Sequence, residues 1–238
     1  MAKIAMWSGP RNISTALMRS FENRPDTFVT DEPFYAYYLK KTGIEHPLRE
    51  EVIAEGNTDW NSVANEITGS IPKDRKIWYQ KHMAQHNLPG ENLKWIEKLQ
   101  NCILIRHPQE VILSYSKKYE ISSIYQLGYP QQVKLFNILI SMGAQPFILD
   151  SRDVLKKPDQ MLKLLCKKLS IPFYREMLSW PMGSRESDGI WGQHWYGSVE
   201  VSTGFHPHVE KKGDIPSKYK NIYLNCLESY QQLYAHRI

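Results

Sequence analysis

The sequence lacks the usual marks of a secreted, membrane-spanning or metal-bound protein. Its three cysteines, Cys102, Cys166 and Cys226, are scattered and odd in number. They make neither a disulfide framework nor a metal-ligand spacing, which fits a reducing compartment and leads us to expect a cytoplasmic protein. No uninterrupted apolar stretch approaches the roughly 20 residues that a membrane helix needs. The N-terminus offers one lysine and then an apolar run too short for a signal peptide. No basic tract marks nucleic acid as a partner, and there is no internal repeat or low-complexity segment. The net charge of +5 is compatible with an anionic ligand and decides nothing alone.

What is present is ordinary in amount and ordered in pattern. With 42% hydrophobic and 23% charged residues, 238 residues suffice to bury about 70% of the unfolded surface. Strand patterns at 3–7, 27–30, 76–80, 101–105 and 146–149 alternate with helical patterns at 13–21, 60–68, 93–99, 108–118, 131–142 and 158–169. That alternation predicts an α/β protein with three α/β/α layers and a mostly parallel central sheet. We expect one domain over 1–238, with a long irregular loop at about 180–215 and a C-terminal helix at about 216–236. The loop is rich in Gly, Ser, Trp and His and shows no period. A loop of that length inside a compact domain is usually a functional lid or disordered, and its aromatics argue against disorder.

The first strand pattern runs into Gly9-Pro10-Arg11-Asn12-Ile13-Ser14-Thr15, which opens a helix. A tight strand–loop–helix turn directs backbone N–H groups and a helix N-terminus at one point, which suits an anion. Arg11 adds a permanent positive charge, and Ser14 and Thr15 add hydroxyls in the first helical turn. The Gly-Lys-Ser/Thr ending of a nucleotidase loop is missing, since Ser14, Thr15 and Ala16 fill those positions. The loop therefore reads as a phosphate site that does not hold Mg-bound triphosphate. A second strand, at 101–105, leads into Arg106-His107-Pro108 and a helix carrying Ser114. Ligands of open α/β sheets bind at that strand edge, and an Arg with a hydroxyl can hold a second phosphate.

The two motifs, in this order and each after a strand, resemble the PAPS-dependent sulfotransferase family. Residues 9–15 are similar to its 5′-phosphosulfate loop, and Arg106-x-Pro108 with Ser114 eight residues after the Arg is similar to its 3′-phosphate motif. Asp150 to Pro158 resembles its strand-end turn before a helix. The resemblance, over roughly residues 3 to 170, implies a P-loop-like fold, PAPS as sulfuryl donor, PAP as product, a small-molecule hydroxyl or amine acceptor and no metal. Gly9, Pro10, Arg11, Asn12, Ile13, Ser14, Thr15, Arg106 and Ser114 would hold the donor. Many family members carry Lys where this chain has Arg11, and Arg does not act readily as an acid.

A general base must lift the acceptor's proton. Glu32 follows the second strand, and Lys81-His82 follows the third; all three would face the ligand edge. The family's Lys-x-His is replaced by adjacent Lys81 and His82, with a further His86, so Glu32 and His82 stay equal candidates for the base. Lys81 could reach the sulfate. His194 and the aromatics Trp191, Trp195 and Tyr196 either join the site or only pack the long loop. Tyr35, Tyr37 and Tyr38 line an acceptor pocket or form a helix packing face. Lys211-Lys212-Gly213 could supply a closing basic loop. Two other readings remain open: a nucleotide or small-molecule kinase with a degenerate loop, and a non-catalytic PAP-binding protein of the same fold. The acceptor and the oligomeric state are not legible.

Overall fold

The computed structural model describes residues 1–210 and 213–238; the expected basic pair Lys211-Lys212 lies outside them. Five strands, β1 Ala2–Ser8, β2 Thr27–Asp31, β3 Ile77–Met83, β4 Gln100–Ile105 and β5 Phe147–Asp150, form one sheet in the order β2-β3-β1-β4-β5. Every pairing between them is parallel. The helices are α1 Ser14–Glu22, α2 Tyr35–Thr42, α3 Arg49–Glu55, α4 Trp60–Thr68, α5 Pro108–Tyr115, α6 Tyr129–Ser141, α7 Ser151–Lys156, α8 Pro158–Lys168, α9 Gly192–Trp195, α10 Gly197–Glu200 and α11 Lys220–Tyr234.

The near-continuous apolar strands follow from burial on both faces. On β1, Ile4 and Met6 point to one face, where Leu17 and Phe21 of α1 and Leu162 and Leu165 of α8 cover them. Ala5 and Trp7 point to the other, beneath Trp60 and Val63 of α4, Val111 of α5, Leu139 of α6 and Leu233 of α11. These are the three layers that the alternation predicts. From β1 the chain moves to β3 and β2 on one side and to β4 and β5 on the other. The loops leaving β1 and β4 therefore diverge, and a crevice opens at the C-terminal strand edge.

Four expected elements differ. Residues 93–99 do not make an α-helix: Lys94–Lys98 is a 3₁₀ stretch, with Ile96 N–H donating to Leu93 and Leu99 N–H to Ile96. The buried positions Leu93, Ile96 and Leu99 recur every three residues, the 3₁₀ period. The third strand runs on to Met83, so Lys81 and His82 lie inside it instead of after it. The 180–215 segment contains the short helices α9 and α10. The buried guanidinium of Arg19 tethers it through a 2.6 Å ion pair with Asp188. The C-terminal helix begins at Lys220, after a 3₁₀ turn at Ser217–Tyr219.

Candidate active site

The loop after β1 is built tightly against the turn that precedes α6. A Cβ on Gly9 would stand 2.3 Å from the Leu127 carbonyl oxygen, so only glycine fits there. Arg11 has φ of 59°, a left-handed conformation unusual for a residue with a side chain. Its Nε donates to Ser114 Oγ on α5 at 3.1 Å. Asn12 is buried and serves the scaffold: its Nδ2 donates to the Leu104 carbonyl at 3.2 Å, and its Oδ1 accepts from Ser151 Oγ at 3.1 Å. The loop is thereby stapled to the ends of β4 and β5. Ile13, at the cap position of α1, supplies no side-chain cap, which leaves the helix's first-turn dipole facing the crevice.

Arg106, just past β4, completes this end. Its Nη1 donates to the Arg11 carbonyl at 2.8 Å, while Nε and Nη2 contact Glu110 Oε2 at 2.9 and 2.8 Å. A guanidinium has five N–H groups, so two remain for a ligand. Glu110 also accepts from His208 Nε2 at 2.9 Å. Burial works to raise the Glu110 carboxyl, but the His208 and Arg106 hydrogen bonds hold it below its ordinary value. Burial and the neighbouring Arg106 lower the pKa of Arg11. Two guanidinium groups so close together favour an anion between them.

The opposite end is a buried charge cluster. Glu32, with φ of 41°, follows β2. Lys81 Nζ donates to Asp31 Oδ1 at 2.8 Å and to Glu32 Oε1. The Tyr196 hydroxyl donates to Asp31 Oδ2 at 2.6 Å and stands 2.8 Å from Lys81 Nζ. Burial opposes the ammonium, but Asp31 and Glu32 outweigh it and push the Lys81 pKa up. Burial raises the Glu32 pKa, Asp31 adds to the rise, and Lys81 pulls against it.

Both ends line one cavity of about 430 Å³, with Pro10 to Ala16, Glu32, Lys81, Arg106 and Ser114 on its wall. Gly9 lies behind the lining and acts through the turn. His82 does not reach the cavity. Side chains alternate along a strand; with Lys81 facing the cavity, His82 faces the core. There it stacks on Trp7 at 4.2 Å between centroids and stands 3.2 Å from Gln80 Oε1. Burial, with Lys81 adding, pulls its pKa down to about 3. A ring kept neutral and walled off cannot collect the acceptor's proton. This buried His has a consequence for stability. The unfolded chain takes up a proton near pH 6.5 that the folded chain refuses, so stability is full above that pH and falls as pH drops towards about 3. Urea titrations of His82→Phe across this window should show a shallower acid loss, by up to about 1.4 kcal/mol per pH unit; parallel curves would refute the assignment.

Asp31 and His208 belong to the site's polar network and escape sequence reasoning, whereas Tyr196, which the sequence left between joining the site and packing the loop, joins the network. Asp31 beside Glu32 after a strand carried a signal, a pair of adjacent carboxylates. His208 carried none, because it arrives from about 100 residues away in sequence. Of the three aromatics weighed in the long segment, Trp195 and Tyr196 line the cavity and Trp191 does not, though its indole donates to Tyr196. His194 is exposed and contacts Tyr119. Tyr35 and Tyr38 line the cavity; Tyr37 turns away to Glu91.

Among the described residues no helix is long and apolar enough to cross a membrane. Branched-chain-amino-acid aminotransferase-like proteins 2 and 1 of Arabidopsis thaliana are 34% and 35% identical to the chain, over 99% and 98% of its length. The chain spans 42% of each of those proteins, less than half. Two solved structures share the fold. The sulfotransferase domain of the Synechococcus PCC 7002 olefin synthase has a TM-score of 0.59 at 13% identity, covering 97% of this chain and 94% of that one. The sulfotransferase from Alicyclobacillus acidocaldarius has a TM-score of 0.56 at 9% identity, covering 100% and 97%. The P-loop-like α/β architecture is thus that of sulfotransferases. A family model described as a sulfotransferase domain matches residues 2–235, so the chain belongs to the sulfotransferase-domain family.

Proposed function

We propose that the chain transfers a sulfuryl group from PAPS to a hydroxyl or amine of a small-molecule acceptor. The observation that carries this reading is the meeting of the two phosphate motifs in one cavity, with Arg11 hydrogen-bonded to Ser114 and Arg106 bonded to the Arg11 carbonyl. The donor set suits a molecule with two separated phosphate groups. It consists of two guanidinium groups, the hydroxyls of Ser14, Thr15 and Ser114, and an uncapped helix N-terminus.

In this reading Arg106, through its two free N–H groups, and Ser114 hold the 3′-phosphate. Arg11, Ser14, Thr15 and the first turn of α1 hold the phosphosulfate. Glu32 takes the proton as the acceptor oxygen or nitrogen bonds to sulfur. The bridging S–O bond breaks, and its electron pair leaves on the phosphate of PAP. Arg11 and the α1 dipole neutralise that departing charge, the positioning and electrostatic logic of phosphoryl transfer applied to sulfur. Lys81 holds Glu32 in place and reaches towards the transferred group.

The test is calorimetric titration of PAP, PAPS and Mg-ATP into the purified protein. Binding of PAP without any divalent cation is the expected outcome. Arg106→Ala should weaken PAP binding about 10- to 100-fold, the scale of a hydrogen bond to a charged group. Unchanged affinity would remove Arg106 from the 3′-phosphate site, and preference for Mg-ATP would turn the reading towards a kinase.

A further inference from the structure

One wall of the cavity is made of residues to which the proposed function gives no role, and its chemistry is distinctive. It is made of Tyr35 and Tyr38 from α2, His46 from the loop after α2, His86 just past β3, Tyr115 from α5 and Trp195 from α9. The rings form a continuous box. Tyr35 and Tyr38 stack on His86 at centroid distances of 5.1 and 4.6 Å, and His46 meets Trp195 edge-on at 6.0 Å. The box is joined to the charge cluster, with His86 Nε2 standing 3.9 Å from Glu32 Oε2.

The box is electrically neutral. Burial keeps His46 below its ordinary pKa. Burial, with Lys81 adding, keeps His86 well below. Burial also holds the phenols of Tyr35, Tyr38 and Tyr115 above theirs. One polar pair is satisfied within it: the Tyr35 hydroxyl lies 2.9 Å from His46 Nδ1. The cations Arg11 and Arg106 lie at the phosphate end, and Lys81 already faces two carboxylates. What the wall presents is therefore ring faces and edges next to a carboxylate.

We propose that this wall is the acceptor subsite and that it takes a hydroxyl carried on a flat, neutral, aromatic body. The inference rests on the sulfotransfer reading and specifies its acceptor. A planar ring stacks on Tyr38 and Trp195 and places its hydroxyl at Glu32. A sugar would leave its many hydroxyl groups without partners against ring faces, and a polyanionic saccharide would find no free cation here among the described residues.

The probe is 2-naphthol, with methyl glucoside and a desulfated glycosaminoglycan oligosaccharide as competitors for the same claim. Naphthol binding is measured by calorimetry with and without PAP, and sulfation by PAP formation from PAPS. We expect naphthol to bind and to be sulfated with a KM at least about tenfold below that of either saccharide. Trp195→Ala, at a half-buried position, and Tyr38→Leu, which keeps an apolar side chain in the core, should each weaken naphthol about tenfold while PAP affinity stays within about twofold. A saccharide as the better acceptor, or naphthol affinity unmoved by both variants, overturns the proposal. PAP binding without naphthol binding overturns the subsite alone. Naphthol binding lost in both variants, with no PAP binding, supports the subsite and removes the donor reading instead.

Discussion

Glu32→Gln is expected to lower the rate of PAP formation by about 100-fold or more while leaving PAP affinity unchanged. The substitution keeps the size of the side chain and removes only its capacity to accept a proton. The fold should tolerate it, because Lys81 retains Asp31 at 2.8 Å and the Tyr196 hydroxyl at 2.8 Å. The wild-type pH profile gives an independent check. Burial and Asp31 raise the Glu32 pKa above the ordinary 4.5, against the pull of Lys81. A base works when deprotonated, so kcat/KM should fall as pH drops through this raised value. The acid limb should therefore lie above 4.5 and be absent in the variant. A fully active Glu32→Gln enzyme would place the base elsewhere, and His82, enclosed by Trp7, Phe34 and Trp95, would not replace it.

Lys81→Met should be the most destabilising single change in the site, by about 3–5 kcal/mol in urea unfolding at neutral pH. The ammonium and Asp31 are almost fully buried, with 2% and 1% of their side chains exposed. Removing the cation leaves Asp31 and Glu32 together in a poorly solvated space, where at least one must take a proton to stay inside. Glu32, whose pKa burial already raises and Lys81 pulls down, should then have a folded pKa still further above its unfolded one. Its neutral form is tolerated below the unfolded pKa, and the cost grows as pH rises through the folded value. The deficit should accordingly shrink as pH falls towards 4, and adding Asp31→Asn should recover part of it. A deficit independent of pH would mean that Lys81 contributes packing and not charge.

These two residues also show the limits of sequence reading. Lys81 and His82 stand side by side, and an adjacent pair after a strand reads as two ligands at one edge. The strand continues through both, so the pleat sends one to the cavity and the other into the core. That single register decision turns His82 away and, of the two bases weighed from the sequence, leaves Glu32 on the cavity wall. The Arg106–Ser114 spacing was legible because eight residues across a strand end and a proline-started helix fix a geometry locally. Tyr38 was ambiguous, since an aromatic stripe on a helix looks the same whether it meets a core or a ligand.

The sequence alone determined the layers, the parallel sheet and the two phosphate motifs. Each depends on local chemistry: apolar runs, a glycine turn, an arginine beside a strand end. Tertiary structure decided which charges meet. Asp31 and Lys81 are paired across β2 and β3, and Tyr196 and His208 come from a segment with no period. Such contacts depend on strand order and on how one distant segment lies across the strand ends. No local pattern encodes those relations, because the interactions that stabilise them form only when the chain has closed around the sheet.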